Sequence, residues 1–309
     1  MYWLKIGNYA TPLSKERFID PKVLATIKDL PLLAKTVVEG FLSGQNQSLR
    51  RGIGLEFSQY RSYEPGDDLR QLDWKMFARS DRYYIREAEV DTNITVRFIL
   101  DGSASMAHED LNGLTKLDYA RYLIASLAYL ATTQGDAVGL YVLQEDQLVH
   151  LTPRSDNMHL QRFWHQLSDI KPNGKFPAGS VGANLLQGRR QKELTVFLTD
   201  LYEHEHEMQD LLAKLGAQRH ELLLFHLMSR NELDFTFSGT LTFEDLETGQ
   251  TLQVGTTEQR AIYLARLQEW LQQTEHSMRN RQIRYDLFAT DEPLDKALRA
   301  FLKNRLRQV

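Results

Sequence analysis

The chain has 309 residues, of which 42% are hydrophobic and 25% are charged, and its formal net charge at pH 7 is −4. This composition predicts a globular protein of one large or two modest domains, and it excludes an overall basic surface that would point to nucleic acid. The chain contains no cysteine, which excludes disulfides, thiolate catalysis and cysteine metal sites. Because no apolar stretch is long enough to span a bilayer and the N-terminus lacks the apolar core of a signal peptide, we expect a cytoplasmic protein.

The first 92 residues predict two regions of different character. Residues 1–50 are expected to be a helical segment, whose helix begins after Asp20, the predicted N-cap before Pro21, and ends at Gly44. Residues 51–92 are expected to form a smaller β-rich region, because short aromatic-rich stretches flank the turn sequence EPGDD.

From residue 93 to residue 309 the sequence alternates between strand and helix patterns. Strands that alternate with amphipathic helices form βαβ units, so this region predicts an α/β domain with a mostly parallel sheet flanked by helices. A hairpin turned at Thr248-Gly249 interrupts the alternation. The predicted strands cover residues 94–101, two segments within 136–153, 193–200, 221–229 and 283–291, and the predicted helices cover residues 117–134, 156–170, 182–191, 206–218, 256–278 and 293–306.

Oxygen-bearing side chains follow two of the predicted strands. Asp101, Ser103 and Ser105 come directly after one buried strand, separated by small residues, and Asp200 ends another. Because ligands of doubly wound sheets bind outside the carboxyl ends of the strands, we expect these side chains to meet at one edge. Hard cations prefer oxygen ligands, so the sequence predicts a site for Mg²⁺ or Mn²⁺.

This arrangement resembles the metal-ion-dependent adhesion site of von Willebrand factor A domains. The resemblance implies a von Willebrand A-like, Rossmann-type fold in which Ser103 and Ser105 bind the metal directly. It implies that Asp101 and Asp200 act largely through water and that a loop threonine adds a ligand. It also implies one open coordination position, which takes an acidic side chain of a protein partner.

A more specific resemblance lies upstream of these strand ends. Residues 52–106 are similar to the signature of the domain of unknown function 58 family, which carries a von Willebrand A-like domain. This resemblance implies a non-enzymatic binding or adaptor module that works with a MoxR-type AAA+ ATPase in the assembly or maturation of client proteins. Many relatives carry N-terminal membrane helices, and we expect none here. The matching residues are Glu56, Phe57, Arg61, Tyr63, Pro65, Gly66, Asp67, Asp68, Arg70, Asp73, Trp74, Ala78 and Arg79.

One loop departs from the pattern of that family. The family has a Gly-Thr-Asp-Leu-like loop where this chain has SVGANLL, so Ala183 stands at the threonine position. Asn184 or Ser180 would then supply an oxygen to the metal, or the site would lack that ligand and be degenerate.

The signature region supports two interpretations of Trp74, Arg70 and Arg79. In the first, the arginines pair with neighbouring aspartates and Trp74 is buried. In the second, the three residues bind a protein partner, because tryptophan and arginine are common anchors of interfaces. Acidic residues between the arginines disfavour nucleic acid.

Other titratable residues have simpler interpretations. Asp118 is expected to be a first-turn carboxylate that stabilises a helix, and Asp136 to be a turn residue. His204 and His206 lie two residues apart before a helix, whereas a zinc pair on one helix face needs a spacing of four. A zinc site is therefore disfavoured.

Two alternatives to the binding module stay open. A Mg²⁺-dependent phosphoester hydrolase would hold the ion with Asp101 and Asp200, although no general base or nucleophile is evident near that edge of the sheet. A structural scaffold with a degenerate metal site would follow from Ala183. The sequence has no GxxxxGK[ST] loop, which excludes a P-loop ATPase, and Met106 replaces the second glycine of a GxSxG elbow.

Overall fold

The computed structural model divides into two compact units, one formed by Leu42–Asn93 and the other by Met1–Phe41 together with Ile94–Val309. Within the smaller unit, strands β1 (Tyr60–Ser62) and β2 (Tyr84–Arg86) pair in antiparallel fashion. Arg70, Trp74 and Arg79 lie outside the described residues, so their predicted role in partner binding stays a prediction. The structure describes residues 20–49, 60–62, 77, 83–86, 93–110, 113–145, 147–177, 193–218 and 220–305.

The N-terminal region forms two helices where the sequence predicts one. Helix α1 (Pro21–Leu24) begins at the predicted cap, since the side chain of Asp20 accepts a hydrogen bond from the backbone N–H of Lys22 at 2.9 Å. The helix then breaks, because Asp29 accepts a hydrogen bond from the N–H of Leu32 and caps a second helix, α2 (Leu30–Leu49). The predicted end at Gly44 is wrong, because a glycine inside a helix costs only about 1 kcal/mol and α2 continues through it.

The larger unit is built on a six-stranded sheet with the strand order β10-β7-β6-β3-β4-β5. All neighbouring strands are parallel except β4 and β5, which pair in antiparallel fashion. The predicted α/β class is therefore confirmed. The strands are β3 (Thr95–Asp101), β4 (Ala137–Leu143), β5 (Leu148–Arg154), β6 (Glu193–Thr199), β7 (Glu221–Met228) and β10 (Arg284–Ala289).

Helices cover both faces of this sheet, because side chains of each strand alternate between two apolar cores. Phe98 and Leu100 of β3 pack in the larger core with α2 and the helices of residues 116–133, 157–169 and 295–305. Ile99 packs in the smaller core with the helices of residues 207–216 and 256–280. The remaining helices are α3 (Lys116–Thr133), α4 (Asn157–Asp169), α5 (Glu207–Gly216), α6 (Arg230–Asp234), α7 (Thr256–Asn280) and α8 (Asp295–Arg305). Among the described residues, no helix combines the length and the apolarity that crossing a bilayer requires.

The predicted hairpin is confirmed. Strands β8 (Thr240–Glu244) and β9 (Thr251–Gly255) pair in antiparallel fashion outside the main sheet. The turn between them includes Gly249, whose φ of +69° is a conformation that favours glycine.

Asp136 is more than the turn residue that the sequence predicts. It lies between α3 and β4, its side chain is fully buried, and it accepts hydrogen bonds from the N–H of Ile94 at 3.1 Å and from Nη2 of Arg305 at 2.9 Å. Its ion pair with Arg305 ties α8 to the start of the sheet, a contact that only the tertiary fold creates.

The sheet reverses its winding direction between β3 and β6. After β3 the chain crosses through α3 to β4 on one side, and after β6 it crosses through α5 to β7 on the other. Loops that leave adjacent parallel strands in opposite directions open a crevice at the carboxyl ends of the strands. Asp101, Ser103, Ser105 and Asp200 lie in this crevice.

Candidate functional site

The structure brings together four of the five predicted metal ligands. Strand β3 ends at Asp101, and a short 3₁₀ turn (Ala104–Ala107) follows it. Asp200 comes directly after β6, the strand adjacent to β3. The exposed fractions of Asp101, Ser103, Ser105 and Asp200 are 0%, 0%, 8% and 6%, so the cluster is buried. The fifth predicted ligand, Asn184, lies outside the described residues, as do Ala183 and Ser180, and its role stays a prediction.

Asp101 is held rigidly at the end of β3. Its Oδ1 accepts a hydrogen bond from the backbone N–H of Ser103 at 3.0 Å, and its Oδ2 accepts one from the hydroxyl of Thr199 at 2.6 Å. Burial and the nearby charge of Asp200 raise the pKa of Asp101 to about 7, although these hydrogen bonds oppose the shift. The site therefore disfavours a second negative charge in the absence of a cation.

A chain of hydroxyl groups connects the two strand ends. The hydroxyls of Ser103 and Ser105 lie 2.9 Å apart, and the Ser105 hydroxyl donates to Oδ1 of Asp200 at 3.2 Å. The backbone N–H of Tyr202 donates to the same oxygen at 3.2 Å. Two hydroxyl oxygens and two carboxylates thus face one small volume.

The loop that carries these groups is packed tightly. A Cβ on Gly102 would lie 2.7 Å from Cγ of Gln144 and 3.1 Å from the carbonyl oxygen of Leu143. The N–H of Gly102 also donates to that carbonyl at 2.8 Å. Only glycine fits this position without displacing the loop between β4 and β5.

Lys116 supplies a buried cation that sequence reasoning missed. Its ammonium donates to Oδ2 of Asp200 at 2.9 Å and to Oε1 of Glu232 at 2.8 Å. Burial lowers the pKa of Lys116, but the charges of Asp200 and Glu232 raise it more strongly, so the amine stays protonated. Burial also raises the pKa of Asp200, but the Lys116 charge outweighs it and holds that pKa below its usual value.

The positions of Lys116 and Glu232 follow from helix capping. Thr115 caps α3, since its hydroxyl oxygen accepts the N–H of Asp118 at 3.0 Å, and this cap places Lys116 in the first turn. Glu232 lies in the capping box of α6, where its Oε2 accepts the N–H of Ser229 at 2.7 Å. The prediction that Asp118 is a first-turn carboxylate is confirmed.

The tip of the β8–β9 hairpin brings a further carboxylate to the site. The Glu247 side chain has an exposed fraction of 0%, and its Oε2 lies 3.1 Å from Nε2 of His204. The hydroxyls of Ser103 and Ser105 are close enough to affect its pKa, which burial and the charge of Asp200 raise. Sequence reasoning missed Glu247, because an acidic residue in a polar hairpin turn is ordinarily a solvent-exposed one.

The segment that contains His204 and His206 leads into helix α5, and the disfavoured zinc site stays a prediction. Glu203 caps the start of α5, where its Oε2 accepts the N–H groups of Met208 and Gln209 at 3.1 Å. The Glu207 carboxylate accepts the N–H groups of His204 and Glu205, which precede the helix. Within the described ranges, no group of three or more His, Asp or Glu side chains is arranged to hold a metal. The candidate site is not a group of this kind, because two of its four predicted ligands within the described residues are serine hydroxyls.

The donor chemistry of the site fits a hard divalent cation. The four predicted ligands that the site brings together present carboxylate or hydroxyl oxygens, the ligand type that Mg²⁺ and Mn²⁺ prefer. The described groups at the site also leave a deficit of positive charge, because one ammonium accompanies four carboxyl groups. The ammonium is that of Lys116, and the four carboxyl groups are those of Asp101, Asp200, Glu232 and Glu247.

Comparisons with known proteins match most of the chain. A family model described as "Protein of unknown function DUF58" matches residues 59–273. An uncharacterized protein of Mycobacterium tuberculosis (strain ATCC 25618 / H37Rv) is 26% identical over 236 residues, which cover 74% of this chain and 73% of that protein. An uncharacterized protein of Mycobacterium bovis gives the same values.

Solved structures that resemble the chain have low sequence identity to it. The conserved hypothetical protein BatB from Bacteroides thetaiotaomicron is 15% identical, with a TM-score of 0.45 over 70% of this chain and 100% of that one. The VWA domain of SpRpn10 is 11% identical, with a TM-score of 0.40 over 67% of this chain and 95% of that one. A von Willebrand factor type A protein from Catenulispora acidiphila is 15% identical, with a TM-score of 0.32 over 56% of this chain and 42% of that one. Similarity at this level does not reveal what the chain binds.

Proposed function

This chain belongs to the DUF58 family of proteins of unknown function, so we propose its function from its own site. We propose that it is a non-enzymatic protein-binding module with a divalent-cation site of the metal-ion-dependent adhesion type. Asp101, Ser103, Ser105 and Asp200 would hold Mg²⁺ or Mn²⁺, with Asn184 as a further ligand. A MoxR-type AAA+ ATPase and a client protein are the partners that the family resemblance suggests.

One observation carries this proposal: two aspartates and two serines converge, buried, at the carboxyl ends of adjacent strands. A bound cation would supply an electropositive centre for an acidic side chain of a partner. The charge deficit around Asp200 and the raised pKa of Asp101 both support a cation at this place.

The chain's own residues prepare this site before any ligand binds. Thr199 and the Ser103 N–H fix the orientation of the Asp101 carboxylate, and Lys116 neutralises one oxygen of Asp200. Preorganised oxygen ligands lose little conformational freedom on binding, which favours tight binding of an ion.

A second candidate, a Mg²⁺-dependent phosphoester hydrolase, gains support from His204. The sequence offers no general base near this edge, but in the structure Glu247 orients the imidazole of His204 beside the site. The buried Glu247 carboxylate also occupies the space in front of Ser103 and Ser105, which disfavours entry of a phosphoester in this conformation.

The test of the binding module is a pull-down with a purified MoxR-type AAA+ ATPase. We expect the wild-type chain to retain the ATPase in Mg²⁺ and to lose it in EDTA, and Asp101→Asn to fail in both. Asp169→Asn, at an exposed position at the end of α4 (68% side-chain exposure), is the matched control and should bind normally. Retention by Asp101→Asn would contradict the proposal and favour a scaffold with a degenerate site.

The enzymatic candidate is tested separately with p-nitrophenyl phosphate and Mg²⁺ or Mn²⁺. The binding module predicts no turnover above the rate of the buffer. Steady hydrolysis that is lost in both Asp101→Asn and His204→Gln would establish the hydrolase instead.

A further inference from the structure

The tip of the β8–β9 hairpin is ordered by its own contacts and is held against the crevice. Oδ1 of Asp245 accepts the N–H of Glu247 at 2.9 Å, and Oδ2 accepts the hydroxyl of Thr248 at 2.7 Å. The hydroxyl of Tyr202, two residues beyond Asp200, also donates to Oδ2 of Asp245 at 2.9 Å. The turn therefore presents Glu247 to the site in a defined position.

The surroundings of Glu247 do not account for its burial. Its side chain is fully buried, yet neither carboxylate oxygen accepts a hydrogen bond of good geometry from the described part of the chain. His204 is the residue that pairs with it, and the Lys116 ammonium is already engaged with Asp200 and Glu232. A buried carboxylate without adequate partners is unfavourable, because desolvation penalises its charged form and little compensates for it.

A cation held by the strand ends would resolve this imbalance. Glu247 faces the hydroxyls of Ser103 and Ser105 and lies within the field of Asp200, which are three of the proposed ligands. We propose that Glu247 is an internal carboxylate ligand, which fills the position that an acidic side chain of a partner takes. The partner would then present an aspartate or glutamate that displaces the hairpin tip. This inference rests on the proposed cation site.

The rest of the hairpin allows such a displacement. Its strands are largely exposed, with Leu252 at 66% and Leu241 at 36% exposure, so little apolar area is lost when the tip moves. Its base is closed by Thr256, whose N–H and hydroxyl donate to the carbonyl oxygen of Gly239 at 3.0 Å and 2.7 Å. The tip can leave the crevice while the base stays attached.

The test uses Mn²⁺ as the probe, with its affinity measured by calorimetry and its bound water measured by proton relaxation. Loss of a carboxylate ligand in Glu247→Gln should weaken Mn²⁺ binding by at least about 10-fold, the lower end of what the loss of an outer-shell partner costs. Water should take the vacated position, so the relaxation enhancement per bound ion should rise. Millimolar acetate should then lower the enhancement in Glu247→Gln and leave the wild type unchanged. Glu244→Gln, an exposed position of the same hairpin, is the matched control and should behave as wild type.

A second variant keeps the test informative if Glu247→Gln perturbs the hairpin. Tyr202→Phe removes the hydrogen bond to Asp245 and leaves every proposed ligand in place. It should raise the relaxation enhancement per bound ion, as Glu247→Gln does, but by a smaller amount.

The outcomes separate this inference from the proposed cation site. If wild-type protein binds Mn²⁺, Asp101→Asn abolishes binding, and Glu247→Gln changes neither affinity nor relaxation, the site stands and the internal ligand is overturned. If wild-type protein does not bind Mn²⁺, both are overturned.

Discussion

The ammonium of Lys116 lies 2.9 Å from Oδ2 of Asp200, and both side chains are buried, with exposures of 5% and 2%. The same ammonium lies 2.8 Å from Glu232, so one lysine joins α3, the end of β6 and α6. An ion pair of this kind contributes little net stability over an apolar pair, but the loss of one partner leaves a buried charge uncompensated.

Lys116→Met should therefore lower the free energy of unfolding by about 3–5 kcal/mol, because it leaves the Asp200 and Glu232 carboxylates without their cation. Urea denaturation in EDTA measures this change. Lys35→Met, which removes an exposed pair with Glu39 on α2, is the control and should change stability by less than about 1 kcal/mol. An equally small effect of Lys116→Met would show that water or a rearranged side chain satisfies Asp200.

Gly102→Ala should destabilise the chain by about 1–3 kcal/mol, because the added methyl group crowds Gln144 and the Leu143 carbonyl. It should also weaken Mn²⁺ binding, since the crowded loop carries Ser103 and Ser105. Gly255→Ala is the control: a Cβ there meets no atom within 4 Å and the backbone has a φ of −77°, so its effect should stay below about 1 kcal/mol. Thermal unfolding measures the change in stability, and calorimetry measures the change in Mn²⁺ affinity. Equal stabilities of the Gly102→Ala and Gly255→Ala variants would contradict the tight packing at Gly102.

His226 should make stability depend on pH. Burial lowers the pKa of this histidine to about 3, compared with about 6.5 in the unfolded chain. Below pH 6.5 the unfolded state therefore binds a proton at this residue that the folded state does not, so the contribution of His226 to stability should fall with a slope that approaches about 1.4 kcal/mol per pH unit. The raised pKa of Asp101 acts in the opposite direction, so the contribution of His226 is measured as a difference from a variant.

His226→Gln removes this contribution, so the stability difference between wild type and variant should shrink as the pH falls from 7.5 to 5. Urea denaturation in EDTA at several pH values measures it. His165→Gln, at an exposed position of α4 (80% side-chain exposure), is the control. A difference between wild type and His226→Gln that is constant with pH would show that His226 is solvated in the folded state.

The sequence predicts the sheet and the convergence of Asp101 with Asp200 for a physical reason. Apolar strands that alternate with helices must form a parallel sheet, and polar residues at the ends of adjacent parallel strands must lie on one edge. The loop after β3 is short, so Ser103 and Ser105 are expected to lie at the same edge as the two aspartates. These relationships depend on local patterns and on general rules of topology.

Residues that join the site from distant parts of the chain could not be predicted in this way. Lys116 has the pattern of an ordinary helix-terminal residue, and Glu247 that of an exposed turn residue, until the tertiary fold brings them to Asp200. Asp136 is similar, because its partner Arg305 is 169 residues away. The break between α1 and α2 was in principle visible, since Asp29 precedes Leu30 and Pro31, a pattern typical of a new helix start.

Asp101 is the proposed ligand whose substitution tests the divalent-cation site most directly. Asp101→Asn is the sharpest variant, because the amide oxygen can still accept the Ser103 N–H and the amide nitrogen can donate to the Thr199 hydroxyl, a reversed hydrogen bond, while the charge is lost. In EDTA the variant should be at least as stable as wild type, since it removes the repulsion between Asp101 and Asp200.

The decisive measurement is the melting temperature of wild type and Asp101→Asn in EDTA and in millimolar Mg²⁺ or Mn²⁺. An ion at about 100 times its Kd stabilises the folded state by about 2.7 kcal/mol, which corresponds to a shift of roughly 5 °C at this chain length. We predict this shift for wild type and none for Asp101→Asn. The same shift in both proteins, or no shift in either, would contradict a cation site at Asp101.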